Sequence, residues 1–197
     1  HFVYNSLVDV NVNGKIIKKN RVTPPKETKT LTNILLKNYV GGSSSGFKKT
    51  KNKIINIPKN IIATDWWISS IYLINNLKGS LVKNTYTFYR QHSSNVIGTQ
   101  SMITSKSLNL TIKVKLNHYL ELYKYCKINN KKIWAAKVDK ILKEYKQLSS
   151  LLKSNRFKKN YIKVINNNYD KVHDFWWSEV LTINKFEKLK LKSFLIK

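Results

Sequence analysis

The stretch "KKIWAAKVDKILKEYKQLSSLLK", residues 131–153, carries the clearest structural signal in the chain. Its apolar residues recur at spacings of three and four, which is the period of one face of an α-helix. The residues of this stripe are Trp134, Val138, Ile141, Tyr145, Leu148 and Leu152. The lysines between them fall on the other faces. The stretch therefore predicts a long amphipathic helix with a basic outer surface.

Three other stretches predict β-structure. In "LVDVNVNGKIIKK", residues 7–19, valines alternate up to an Asn13-Gly14 pair, which favours a β-hairpin with a type I′ turn. Residues 81–92 are rich in Thr, Tyr and Phe and predict a strand. Residues 108–116, "LNLTIKVKL", alternate apolar and polar side chains, so they predict a half-buried strand with a basic face exposed to water.

The remaining segments complete the predicted architecture. Residues 64–77 predict a helix with Thr64 as N-cap and Gly79 just beyond its end, and residues 169–183 predict another. We expect an α+β fold in which an N-terminal hairpin and short antiparallel strands pack with two or three helices toward the C-terminus. We expect the chain to form a single domain over residues 1–197. A flexible basic loop at 41–58 and a basic tail at 185–197, expected to be an extended strand or arm, project from it.

Two tryptophan pairs, in "DWWIS" at residues 65–69 and "DFWWSE" at residues 174–179, raise the choice between base-stacking platforms and core residues. Adjacent residues of a helix point about 100° apart, so both members of a pair are buried only between two packing partners. Aromatic residues that stack single-stranded bases stand on exposed strands or loops. Because both pairs fall in predicted helices, we expect them to lie in the core.

The charge of the chain is its most specific chemical feature. Lys and Arg number 37 against 10 Asp and Glu, which gives a net charge of +27. The cations are spread over every predicted element, a pattern that suits contact with the phosphates of a folded RNA. The predicted RNA-binding residues are Lys48, Lys49, Lys51, Lys53, Arg90, Lys113, Lys115, Arg156, Lys158 and Lys159.

The sequence contains no strong catalytic or metal-binding pattern. Cys126 is the single cysteine, which excludes an intrachain disulfide and a cysteine-based metal site. The acidic residues around His173 are better explained as helix N-terminal acids than as metal ligands. His92 beside Arg90, or His118 beside Glu121, could supply parts of a metal-free ribonuclease, as could many basic RNA-binding proteins. We predict no enzyme activity, no cofactor and no metal.

Lysine used in place of arginine, the run "NNN" at residues 166–168, and the basic stretches "KKTKNK" (48–53) and "NRFKKN" (155–160) point to an AT-rich gene. In these features the chain resembles the small ribosomal proteins encoded by AT-rich mitochondrial genomes. The resemblance implies a structural constituent of a mitochondrial ribosome that binds ribosomal RNA and neighbouring ribosomal proteins, with no membrane span. Two alternatives stay open: an RNA-cleaving toxin that acts on tRNA, and an accessory subunit of a mitochondrial membrane complex that uses residues 61–77 as an interfacial helix.

Overall fold

The computed structural model of the protein describes residues 1–22, 24–49, 55–92, 102–172 and 177–195. These residues form two compact units. The first holds the described residues up to 92, and the second holds those from 102 onward. The single domain expected over residues 1–197 stays a prediction.

The first unit is built on a mixed five-stranded sheet. Its strands are β1 (Phe2–Val10), β2 (Ile16–Val22), β3 (Glu27–Thr28), β4 (Ser45–Phe47) and β5 (Gly79–Arg90). Their order is β2-β1-β5-β3, and β4 also pairs with β1. Strand β5 runs parallel to β1, whereas β2 and β4 run antiparallel to it. The predicted strand at 81–92 therefore exists, but it lies parallel to its long neighbour.

The predicted hairpin is the pair β1 and β2. Gly14 adopts a φ of 79° in the turn, but Asn13 does not adopt a positive φ, so the turn is not of type I′. The side chain of Asn11 organises it instead: its Oδ1 accepts hydrogen bonds from the backbone N–H of Asn13 at 3.0 Å and of Lys15 at 2.8 Å. The hairpin prediction is confirmed, but the predicted type I′ turn is wrong.

The helix α1 (Thr64–Ile74) carries the first tryptophan pair. Trp66 and Trp67 are buried, and their indole N–H groups donate to the carbonyls of Ile34 at 2.8 Å and Asn56 at 3.0 Å. The prediction of core tryptophans is confirmed for this pair. The N-cap lies one residue earlier than predicted: it is Ala63, and Thr64 is the first residue of the helix.

The Gly/Ser segment predicted as a flexible loop is ordered in its first part. A 3-10 turn, Gly42–Ser44, leads directly into β4. The Asp65 carboxylate holds this turn, since it accepts from the Gly42 N–H at 2.8 Å and from the Asn38 side-chain amide at 3.3 Å. Residues 50–54 of the predicted loop lie outside the described residues.

The second unit is helical. Its elements are α2 (Ser105–Ile128), α3 (Lys132–Leu151), α4 (Asn155–Asn166), α5 (Tyr169–Val172) and α6 (Ile183–Leu195). Helix α3 confirms the prediction for residues 131–153, and its buried residues include Val138, Tyr145 and Leu148. Helix α2 packs along α3. The sequence did not predict α4.

Three predicted elements of this unit are wrong. Residues 108–116 are helical turns of α2, not a strand, because the segment continues the helix begun at the Thr104 cap, whose hydroxyl accepts from the Ser107 N–H. Of the helix predicted at 169–183, the described residues include α5 at Tyr169–Val172, but residues 177–182 lie outside any helix and Ile183 begins the next one. The tail expected to be extended is helical as far as Leu195.

The second tryptophan pair is only partly described. Trp177 is buried, as predicted, but it has a φ of 63° and lies outside any helix. Trp176 and His173 lie outside the described residues. The fold class itself is confirmed, since an N-terminal sheet is followed by helices mostly toward the C-terminus. Of the helices in the described ranges, none combines the length and apolar character needed to cross a bilayer.

Candidate nucleic-acid interface

Helix α4 presents a row of cations on one exposed face. Ser154 caps the helix, and Tyr161 and Ile165 are buried on its inner side. The Tyr161 hydroxyl donates to the Leu181 carbonyl at 3.0 Å, which fixes that side inward. At about 100° per residue, the three exposed cations fall within about 60° of one another. They are Arg156, Lys159 and Lys163, called here the α4 basic face.

Two of these three residues belong to the predicted RNA-binding set. The set omits Lys163, although this residue follows Lys159 by one helical turn, because the sequence pattern does not predict a helix here. The predicted Lys158 points to the other side of α4 and is half-buried. No Asp or Glu occurs in α4, so no carboxylate of the helix itself neutralises the α4 basic face.

In the first unit, the exposed lysines Lys48 and Lys49 follow β4. The backbone there is anchored, since the Tyr72 hydroxyl donates to the Lys48 carbonyl at 2.6 Å and the Lys48 N–H donates to the His1 carbonyl at 3.1 Å. Two lysine side chains are thus displayed from a fixed main chain. The other predicted members of this run, Lys51 and Lys53, lie outside the described residues.

The two predicted lysines of residues 108–116 have opposite environments. Lys113 is exposed on α2, but Lys115 is fully buried, with 0% of its surface exposed. On a strand both would share the face exposed to water, whereas on a helix they point about 200° apart. The prediction that Lys115 contacts RNA is therefore wrong, because its ammonium lies in the interior.

Lys115 lies in a buried polar cluster. Its Nζ donates to the Tyr145 hydroxyl at 3.0 Å and lies 5.0 Å from the centre of that ring. Burial lowers the pKa of Lys115 to about 7, although the nearby Glu179 carboxylate opposes the shift. Glu179 itself accepts from the Thr111 hydroxyl at 3.0 Å. The cluster makes Lys115 a structural group of the helical unit.

The histidine considered as part of a ribonuclease is also internal. His118 is buried, and burial together with the nearby Lys115 ammonium lowers its pKa to about 3. Its neighbour in that hypothesis, Glu121, pairs instead with Lys124 at 2.9 Å. An imidazole in this position does not meet a phosphate at the surface. His92, in contrast, is exposed just beyond β5.

Strand β5 exposes two aromatic rings that the sequence analysis did not single out. Tyr86 is 58% exposed and Phe88 is 65% exposed. Arg90, a predicted RNA-binding residue, is exposed two positions further along the strand. The alternation in "TYTFYR", residues 85–90, carries this signal, but a strand pattern alone does not show which side of the strand is covered. We call Tyr86 and Phe88 the β5 aromatic row.

The carboxylates of the first unit are occupied within the fold. Asp9 is buried and accepts from the Gln91 side-chain amide at 2.8 Å, and Asp65 holds the Gly42 turn. Glu27 pairs with Lys29 at 2.7 Å, a contact between exposed side chains that contributes little to stability. The exposed lysines and arginines of this unit therefore face water with little compensating negative charge.

Within the described ranges, no group of three or more His, Cys, Asp or Glu side chains could hold a metal ion. His173 and Asp174, considered for such a site, are not among the described residues. Comparison with known protein families, curated proteins and solved structures finds no match for the chain. Its function must therefore be argued from its own residues.

Proposed function

We propose that the protein is a structural, ribosomal-RNA-binding constituent of a mitochondrial ribosome. The observation that carries the proposal is the α4 basic face, in which Arg156, Lys159 and Lys163 share one exposed side of a helix without acids. A net charge of +27 repels other cationic surfaces and favours a polyanion as partner. The same proposal makes neighbouring ribosomal proteins its further partners and the mitochondrion its location.

Binding would proceed through phosphate neutralisation. Each lysine or arginine that approaches a phosphate releases condensed counterions, which makes the affinity depend on salt. The exposed side chains Lys48, Lys49 and Lys113 would act in the same way as the α4 basic face. Because such contacts carry no sequence information by themselves, they position the protein on a folded RNA without reading its bases.

A salt series tests the electrostatic part of the proposal. The full chain is titrated with a structured fragment of ribosomal RNA at several salt concentrations, and the logarithm of the association constant is plotted against the logarithm of the salt concentration. We expect a steep negative slope. Each phosphate contact should make this slope more negative by about 0.7 to 0.9. A flat plot would reject RNA binding through the lysines.

Sedimentation tests the ribosomal part of the proposal. We expect the protein to remain with ribosomal particles when mitochondria are lysed in high salt, and its recovery only in the light fractions would contradict a ribosomal role.

Incubation with total tRNA separates this role from that of an RNA-cleaving toxin. Discrete fragments at micromolar protein would favour the toxin, whereas intact tRNA is expected of a structural protein.

The interfacial-helix alternative requires a free apolar face on residues 61–77. Helix α1 instead buries residues on all its sides, including Trp66, Trp67, Ile71 and Leu73. A helix that is covered in this way offers little apolar surface to a membrane. This observation favours the RNA-binding proposal over the membrane-complex alternative.

A further inference from the structure

We propose that the β5 aromatic row binds unpaired RNA bases by stacking them on Tyr86 and Phe88. The inference rests on the proposed RNA-binding function and adds a second mode of contact to it. The lysines would hold phosphates of any RNA, whereas the β5 aromatic row would select segments whose bases are free to stack. Ring faces suit every base, so this contact distinguishes unpaired from paired RNA more than one sequence from another.

The geometry of β5 places the two rings on one side. Tyr86 pairs with Ser6 and Phe88 pairs with Val8 of β1, and the register is continuous from there to Arg90. Residues two apart on a strand point to the same face, about 6.6 Å from each other. Two successive bases of an extended strand can reach two rings at that separation. The arrangement is the one by which aromatic side chains of exposed sheets receive unstacked bases.

The exposure of these rings is unusual within their own unit. The rings of Phe2, Phe47 and Tyr72 pack against one another, with centroids 5.5 to 6.0 Å apart. Tyr86 and Phe88 are more than half exposed. A single exposed aromatic residue needs no explanation, but two neighbours on one face of a strand form a patch that is costly to leave in water.

The charges around the β5 aromatic row favour an anionic ligand. Arg90 is exposed on the same face, one alternation beyond Phe88. Before the row, β5 bulges between its pairings with Tyr4 and Ser6, and the bulge exposes Lys83. The carboxylate of Asp9 is buried, and Asp9 pairs with Tyr89, which points to the opposite face. A cation on the same face, next to two rings, matches a nucleotide chain, which has flat bases and a negative backbone.

The test compares oligouridine, whose bases are unstacked, with an RNA duplex of the same length. The ring-removing variants are Tyr86→Ile and Phe88→Ile, which keep a β-branched side chain suited to a strand. The matched controls are Tyr86→Phe and Phe88→Tyr, which keep a ring. Each is prepared in the full chain, and its far-UV circular dichroism and unfolding midpoint are compared with those of the unmodified protein.

We expect each ring-removing variant to bind oligouridine about fivefold or more weakly, because one stacking contact is lost. Duplex binding and the salt slope should not change, since no phosphate contact is removed. The ring-keeping controls should bind like the unmodified chain. Oligouridine affinity within twofold of the unmodified protein in both Ile variants overturns the inference, and points to another occupant of this face, such as a protein.

A measurement on the unmodified protein keeps the inference testable if a variant unfolds. Oligouridine carrying photoreactive iodouridine is cross-linked to the full chain, and the adducts are located by mass spectrometry. We expect adducts on Tyr86 or Phe88, and adducts confined to other peptides would overturn the inference. A salt-dependent affinity with no role for the rings would leave the proposed function standing. An unmodified chain that binds neither RNA would reject both.

Discussion

The Lys115 Nζ on α2 lies 3.0 Å from the Tyr145 hydroxyl on α3, inside the helical unit. The same hydroxyl donates to the Val180 carbonyl at 3.0 Å, so it can accept from the lysine while its own proton is used elsewhere. The lysine therefore joins two helices and the segment before α6. Because burial removes the hydration of the Lys115 ammonium, the stability of the helical unit should depend on pH.

The free energy of unfolding should rise between pH 7 and pH 9. Folded Lys115 has a pKa of about 7, whereas the ordinary value is 10.5, so in this range the unfolded chain binds the additional proton. Stability increases with pH wherever the unfolded state binds more protons, and the contribution of this lysine is about 2 to 3 kcal/mol over the range. Urea unfolding at several pH values measures it.

The substitution Lys115→Met isolates this effect. We expect the variant to be more stable than the unmodified protein at pH 7, with a difference that shrinks toward pH 9 as the native lysine becomes neutral in the folded state. The comparison at each pH removes the contribution of Cys126, whose pKa burial raises to about 11. Lys113→Met, on the exposed side of the same helix, is the control and should leave the pH profile unchanged. Equal profiles for all three proteins would contradict a buried ammonium.

The helical unit should also lose stability in acid through His118. Its folded pKa is about 3 and its ordinary value is 6.5, so the folded protein resists protonation that the unfolded chain accepts. The stabilisation is complete above pH 6.5 and is lost as the pH falls toward 3, by about 2 kcal/mol between pH 6.5 and pH 5. In His118→Leu this part of the acid sensitivity should disappear. The same loss of sensitivity in His92→Gln, at an exposed site, would contradict the assignment to His118.

The error at residues 108–116 shows where sequence patterns become ambiguous. Alternation over nine residues fits a strand, but a helix buried on several sides also accepts it. The longer pattern decides, since Leu108, Tyr119 and Leu122 continue one buried side of α2 well past residue 116. Thr104 and Ser107, three residues apart, also form a capping box, which is a signal for the start of a helix. Residues 108–116 alone contain neither signal. The strand predicted from them puts Lys115 on the face exposed to water.

The candidate interface was predictable in part. The local sequence is enough to find exposed cations such as Lys49 and Arg156, because most lysines and arginines of a folded chain lie at its surface. The α4 basic face needed the helix boundaries first. The exposure of Tyr86 and Phe88 depends on which elements cover β5, and that is set by tertiary packing, which a strand pattern does not contain.

Gly79→Ala should destabilise the sheet of the first unit. A Cβ at this position would overlap the rings of Phe2 and Tyr4, which pack over the start of β5. Overfilling a packed core typically costs about 1 to 3 kcal/mol. Thermal unfolding of the variant measures the loss. Gly46→Ala is the control, because a Cβ there meets only the Val3 side chain at 3.4 Å, and an equal loss in both variants would contradict a specific clash at Gly79.

Neutralising the α4 basic face should weaken RNA binding without unfolding the protein. The triple substitution Arg156→Gln, Lys159→Gln and Lys163→Gln keeps good helix formers on an exposed surface, so stability should change by about 0.5 kcal/mol or less per site. If all three cations contact phosphates, the slope of log affinity against log salt should become shallower by about 2 to 3. The charge-keeping triple Arg156→Lys, Lys159→Arg and Lys163→Arg should retain the original slope. An unchanged slope in the Gln triple would place the RNA on other lysines and remove α4 from the interface.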